Sequence, residues 1–118
     1  MPLLQINLTS SSVAQDILDQ IHHQGAEILA EQLGKSIEYV MVLLRTDQSI
    51  SFSQDKKTPS AYIEVKNVGK MDQKITQSLT SKLTNLVTEK LGVPAKRTYI
   101  EFQESERYLW GWNGKTLG

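Results

Sequence analysis

Leu33-Gly34-Lys35-Ser36-Ile37-Glu38-Tyr39-Val40-Met41-Val42-Leu43-Leu44 and Leu91-Gly92-Val93-Pro94-Ala95-Lys96-Arg97-Thr98-Tyr99-Ile100-Glu101-Phe102 can be laid one on the other. Each begins with Leu-Gly, and each reaches a Tyr-containing run of strand formers after a few residues. Glycine tolerates the left-handed conformation that closes a helix, so both pairs read as helix ends. Working back from the first, Val13, Ile17, Ile21, Ile28, Leu29 and Leu33 recur at helical spacing, with Asp16, Asp19, Gln20, His23, Glu27 and Glu31 between them. Thr9-Ser10-Ser11-Ser12 supplies the candidate caps where that helix begins. Before it, PLLQINL from Pro2 to Leu8 reads as a strand. Behind the second Leu-Gly pair, Ile75, Leu79, Leu83, Leu86, Val87 and Leu91 mark another amphipathic helix.

Tyr39 to Leu44 is apolar throughout and too short for a helix, so it is expected to be a central strand buried on both faces. Ser49 to Phe52 reads as a short strand, and the polar stretch Ser53 to Pro59 as a connection. Ala61 to Val65 and Thr98 to Gln103 alternate as strands, with a turn at Asn67-Val68-Gly69 and an aromatic segment from Tyr108 to Trp112. The order is β-α-β twice. Right-handed crossovers put both helices on one face of a mixed four-stranded sheet, giving an α+β fold of two β-α-β repeats. The sheet's other face, read as apolar enough to need cover, calls for a homo-oligomer.

A chain of 118 residues suits a single domain, 1–118. Thirteen basic residues balance thirteen acidic ones, which argues against nucleic acid as a partner. Arg45, Lys56, Lys57, Lys66, Lys70, Lys96 and Arg97 read as solvated surface. Cysteine is absent, which excludes disulfides, thiolate metal sites and thiol nucleophiles. No apolar run approaches a membrane span and no secretory signal pattern opens the chain, so the expectation is a cytoplasmic protein with no membrane partner.

The search for catalytic groups returns little. His22 and His23 sit on the first helix and read as structural, at least one of them exposed, and neither a phosphate loop nor a metal-ligand spacing is present. The terminus remains. Met1-Pro2 runs directly into an apolar strand, and removal of Met1 would leave a secondary amine at the end of a rigid element. Burial or a neighbouring cation would disfavour its charged form and make it a general base near neutral pH.

Read together, Met-Pro before an apolar strand, Leu33-Gly34-Lys35, Asn67-Val68-Gly69-Lys70, Tyr99-Ile100-Glu101-Phe102 and Gly111-Trp112-Asn113 resemble the macrophage migration inhibitory factor family of the tautomerase superfamily. The resemblance implies a homotrimer with active sites between subunits. It also implies keto-enol tautomerisation of an aromatic α-keto acid such as phenylpyruvate, or of a dopachrome-like substrate, without cofactor or metal. Pro2 would be the catalytic base, Lys35 and the backbone at Val68 would contact the substrate, and Tyr99 would line the pocket from the adjacent subunit. Phe102 and Trp110 are expected as apolar walls ahead of Tyr108 and Trp112.

Glu101 stands where vertebrate members have Asn, adding a negative charge near the pocket. Trp110 replaces a smaller aliphatic residue and narrows its mouth. Ser60-Ala61-Tyr62-Ile63 replaces the Cys-x-x-Cys of thiol-redox members. Ser10-Ser11-Ser12 lacks a basic residue tied to signalling. The alternative function is a non-enzymatic trimer of the same family that binds a ligand or protein and keeps residual tautomerase activity. A ferredoxin-like regulatory module and a related decarboxylase or dehalogenase are further alternatives.

Overall fold

The computed structural model describes residues 1–118. Strand β1 (Pro2–Leu8), helix α1 (Gln15–Leu33) and strand β2 (Met41–Arg45) form the first unit. Strand β3 (Ala61–Val68), helix α2 (Gln73–Leu91) and strand β4 (Thr98–Ser105) form the second, and a hairpin of β5 (Gly111–Trp112) and β6 (Lys115–Thr116) follows. The four long strands lie in the order β2-β1-β3-β4. Each unit pairs its own strands in parallel, as a helical crossover requires, and β1 joins β3 antiparallel between them.

Alternation explains the burial. Pro2, Leu4, Ile6 and Leu8 of β1 and Ala61, Ile63, Val65 and Asn67 of β3 turn to one face and are buried. There the apolar members meet Ile21 and Leu29 of α1 and Leu79, Leu83, Leu86 and Val87 of α2, so both helices cover this face. Both helices end on glycine in the left-handed region, Gly34 at φ 63° and Gly92 at φ 69°.

Four expectations change. The α1 helix begins at Gln15, beyond the serines and Val13: Ser12 has φ 53°, which interrupts helical geometry, and the cap position is Ala14 with no side-chain bond. The β2 strand is an edge strand, with Met41 65% exposed. Its Val42 and Leu44 pack on the core, while Met41 and Leu43 face away from the helices, so its continuous apolar run is covered on one side only. Ser49 to Phe52 forms no strand, only a bridge between Phe52 and Asp55. Finally, the face away from the helices is mixed: Leu3, Met41, Leu43, Tyr62 and Tyr99 share it with Gln5, Asn7, Glu64, Lys66, Glu101 and Gln103.

Candidate active site

The start of β1 sits where three backbone segments converge. Pro2 pairs with Asn67, and the Val68 N–H donates to the Met1 carbonyl at 3.3 Å. Next along the chain, the Gly69 N–H donates to the Ser105 carbonyl at 3.2 Å, which ties the end of β4 to the same place. Lys35 arrives directly after the α1 cap, and its Nζ donates to the Val68 carbonyl at 3.2 Å. One of three ammonium donors is thereby used, leaving two for a ligand.

Met1, Lys35, Val68, Gly69 and Ser105 border a cleft of about 520 Å³, with Pro2 behind Met1 and not in its lining. Its apolar wall is Tyr39, Trp112 and Leu117, with Tyr39 and Trp112 edge to face at 5.6 Å between centroids. Glu106 and Arg107 line it from the turn after β4. The amine of Met1 is held below the usual α-amino range, first by partial burial and then by the charge of Lys35. Both effects act in the direction that keeps an amine neutral.

Three predicted residues meet here: Pro2 at the strand start, Lys35 and the Val68 backbone. Four do not. Tyr99 is 63% exposed and pairs with Tyr62, five positions along β3 from the residue that pairs with Pro2. At roughly 3.3 Å per residue that is about 17 Å, so Tyr99 does not reach the cleft of its own chain. It packs instead on Phe52, ring centroids 5.3 Å apart. Glu101 lies on the open sheet face beside Glu64, where both carboxylates add to desolvation in raising the Tyr62 hydroxyl. Phe102 turns to the helices and packs on the core. Trp110 is half-buried at the end of the turn Arg107–Leu109 and is not a lining residue.

Trp112 takes the place expected of Trp110. The signal that places it is Asn113-Gly114, both at positive φ, the pair that makes a tight two-residue hairpin and fixes which neighbour faces the cleft. Tyr39, Glu106, Arg107 and Leu117 carried no comparable signal. His22 and His23 are exposed on α1, with His23 3.3 Å from Glu27. No group of three or more metal-ligating side chains comes together, and no helix is long and apolar enough to cross a membrane.

Two β-α-β units joined through antiparallel central strands, with both helices on one face of a mixed four-stranded sheet, are the architecture of the tautomerase superfamily. The model of the family described as macrophage migration inhibitory factor (MIF) matches residues 1–118, and the chain belongs to that family. It is 32% identical over 119 residues to macrophage migration inhibitory factor of Xenopus laevis, covering 99% of each chain. Among solved structures, the homologue from Prochlorococcus marinus superposes with a TM-score of 0.87 at 36% identity, covering 98% of this chain and 99% of that one. The Leishmania major MIF2 structure gives 0.88 at 27% identity, with 98% and 97% covered.

Proposed function

We propose that this protein is a keto-enol tautomerase of aromatic α-keto acids such as phenylpyruvate, with the secondary amine of Pro2 as general base once Met1 has been removed. The observation that carries the reading is the placement of Lys35, bonded to the Val68 carbonyl beside the start of β1, where burial and the Lys35 charge lower the amine of Met1. Pro2 lies one residue deeper than Met1 and is buried, so its amine would meet the same two influences. While Met1 is attached, the Pro2 nitrogen is an amide whose lone pair is delocalised, and it is no base.

In enolisation the Pro2 lone pair takes a proton from the carbon beside the keto group. The C–H electron pair becomes the C=C bond and the carbonyl π pair moves to oxygen. The oxygen then takes a proton back from the prolinium, so the amine ends as it began. Lys35 has two parts: its free donors hold the substrate carboxylate, and its charge opposes protonation of the base. Tyr39 and Trp112 accept the aryl group.

Tyr99 fits this reading as a wall supplied by a neighbouring subunit of a homotrimer, since its own cleft is out of reach. Intact mass and the rate of phenylpyruvate ketonisation, measured on the same preparations before and after aminopeptidase treatment, test the base. Rate should rise in proportion to the processed fraction and differ at least about a hundredfold between the pure forms. Equal rates for blocked and free Pro2 remove it from the mechanism, and binding without turnover by the free form favours the non-enzymatic alternative. Light scattering that finds a monomer at micromolar concentration removes the shared site.

A further inference from the structure

The mouth of the cleft carries a second cation that the reaction above does not use. Arg107 opens the turn Arg107–Leu109, two residues after Ser105, whose carbonyl holds Gly69. Gly69 follows Val68, whose carbonyl holds Lys35, so Lys35 and Arg107 are fixed to the same short backbone junction. Arg107 Nη2 donates to the Leu117 carbonyl at 2.6 Å, which orients the guanidinium from one corner. Neither cation has a carboxylate within ion-pair distance, although Arg97, Lys66 and Lys70 elsewhere do.

A guanidinium is a planar fork that matches a carboxylate through paired N–H donors, and one corner bond leaves most of that fork available. Lys35 beside the amine accounts for one carboxylate. Glu106, also lining the cleft and in no ion pair, offsets one positive charge at the mouth. That weakens the pull on any anion, so a second acid group gains only by bonding directly to the fork, and Glu106 works against it.

We propose that Arg107 is a specificity-determining residue and that the preferred substrates are aromatic 2-oxo acids bearing a second carboxylate on the far side of the ring. The keto-acid carboxylate sits on Lys35 and the distal carboxylate on Arg107. This rests on the tautomerase reading for the reaction but not for the binding, and the two are separable by experiment.

The probes are phenylpyruvate against its 4-carboxyphenyl analogue for turnover, and 3-phenylpropanoate against 3-(4-carboxyphenyl)propanoate for calorimetric binding, on protein with verified free Pro2. The distal carboxylate should tighten binding about tenfold or more, the worth of one hydrogen-bonded charge pair. Arg107→Ala should lower kcat/KM for the carboxylated substrate at least tenfold more than for phenylpyruvate, chiefly through KM. Glu106→Gln should move the same ratio the other way. Equal affinities of the two propanoates for the unaltered protein, or equal losses in Arg107→Ala, overturn the proposal. Absence of turnover with the binding preference intact overturns the tautomerase reading instead and leaves this one standing.

Discussion

The same β-α-β unit is used twice, and its two copies end very differently. Counting from the capping glycines, Lys35 matches Val93, Tyr39 matches Arg97 and Met41 matches Tyr99. In the first copy the step after the cap is a cation beside an amine, and the turn Ile37–Tyr39 ends on an exposed tyrosine that lines a cleft. In the second, Val93 is fully buried, and the turn Ala95–Arg97 ends on an arginine only 7% exposed. Arg97 Nε donates to the Pro59 carbonyl and to Ser60 Oγ, Nη1 to the Phe52 carbonyl and Nη2 to the Asp55 carbonyl. Its guanidinium lies 5.5 Å from the Phe52 ring centre. One end holds donors free for a ligand; the other spends them on its own loop. Duplication supplies two equivalent positions, and single residues decide which becomes a site.

Substitutions can break the contrast. Arg97→Ala should have the largest effect on stability, about 2–3 kcal/mol, because it strips donors from three partly buried carbonyls and from Ser60. Urea unfolding measures it, and a loss below 1 kcal/mol would show the loop to be held otherwise. By the same route Phe52 and Tyr99 should loosen, visible as lost edge-to-face ring shifts in NMR.

Lys35→Ala should leave stability nearly unaltered and lower kcat/KM for carboxylate substrates on the order of tenfold to a hundredfold. The pH profile provides the sign. A base must be unprotonated, so activity falls as pH drops through the amine pKa. Burial and then Lys35 lower the Met1 amine, and a freed Pro2 amine in that place would meet the same charge, so removing Lys35 should move the acid limb to higher pH. Burial is the larger cause and stays in place, so the shift should stop short of the ordinary α-amino value. An unmoved limb would detach Lys35 from the base.

Trp112→Ala should cost about 0.5–1.5 kcal/mol of aromatic contact with Tyr39 and raise KM for aryl substrates more than for pyruvate. Equal effects on both would mean that the wall does not touch the ring. The smallest expected effect is zero: insulin reduction by the pure protein, since no cysteine exists to form a mixed disulfide. Ser60 accepts a hydrogen bond from Arg97 Nε at 2.9 Å.

What was legible in the chain was local. Helix ends marked by Leu-Gly, alternation in Ala61 to Val65 and Thr98 to Gln103, and the doubled order all depend on neighbours in sequence. The edge position of β2 was not, because strand order is settled by pairing across the sheet, and an apolar run looks the same at an edge as at a centre. Arg97 read as surface because its partners are carbonyls 38 to 45 positions away and a serine hydroxyl 37 away. Trp110 and Trp112 differ by two residues, and only the hairpin turn tells which one reaches the cleft. Pro2 was a candidate from the terminus itself and Lys35 through resemblance; their proximity is a long-range fact that no spacing contains.

The antiparallel seam between β1 and β3 also bears on the order of assembly. A chain is made from its N-terminus, so the strand carrying Pro2 exists long before its central partner: Pro2 pairs with Asn67, 65 positions later. Until then the first unit has Leu4, Ile6 and Leu8 without the β3 and α2 side chains that enclose them, and one edge of β1 is bare. The first strand is thus made well before the strand that pairs with it along its other edge. On the proposed reading, that interval is when an aminopeptidase would have its freest access to Met1, and processing would compete with folding.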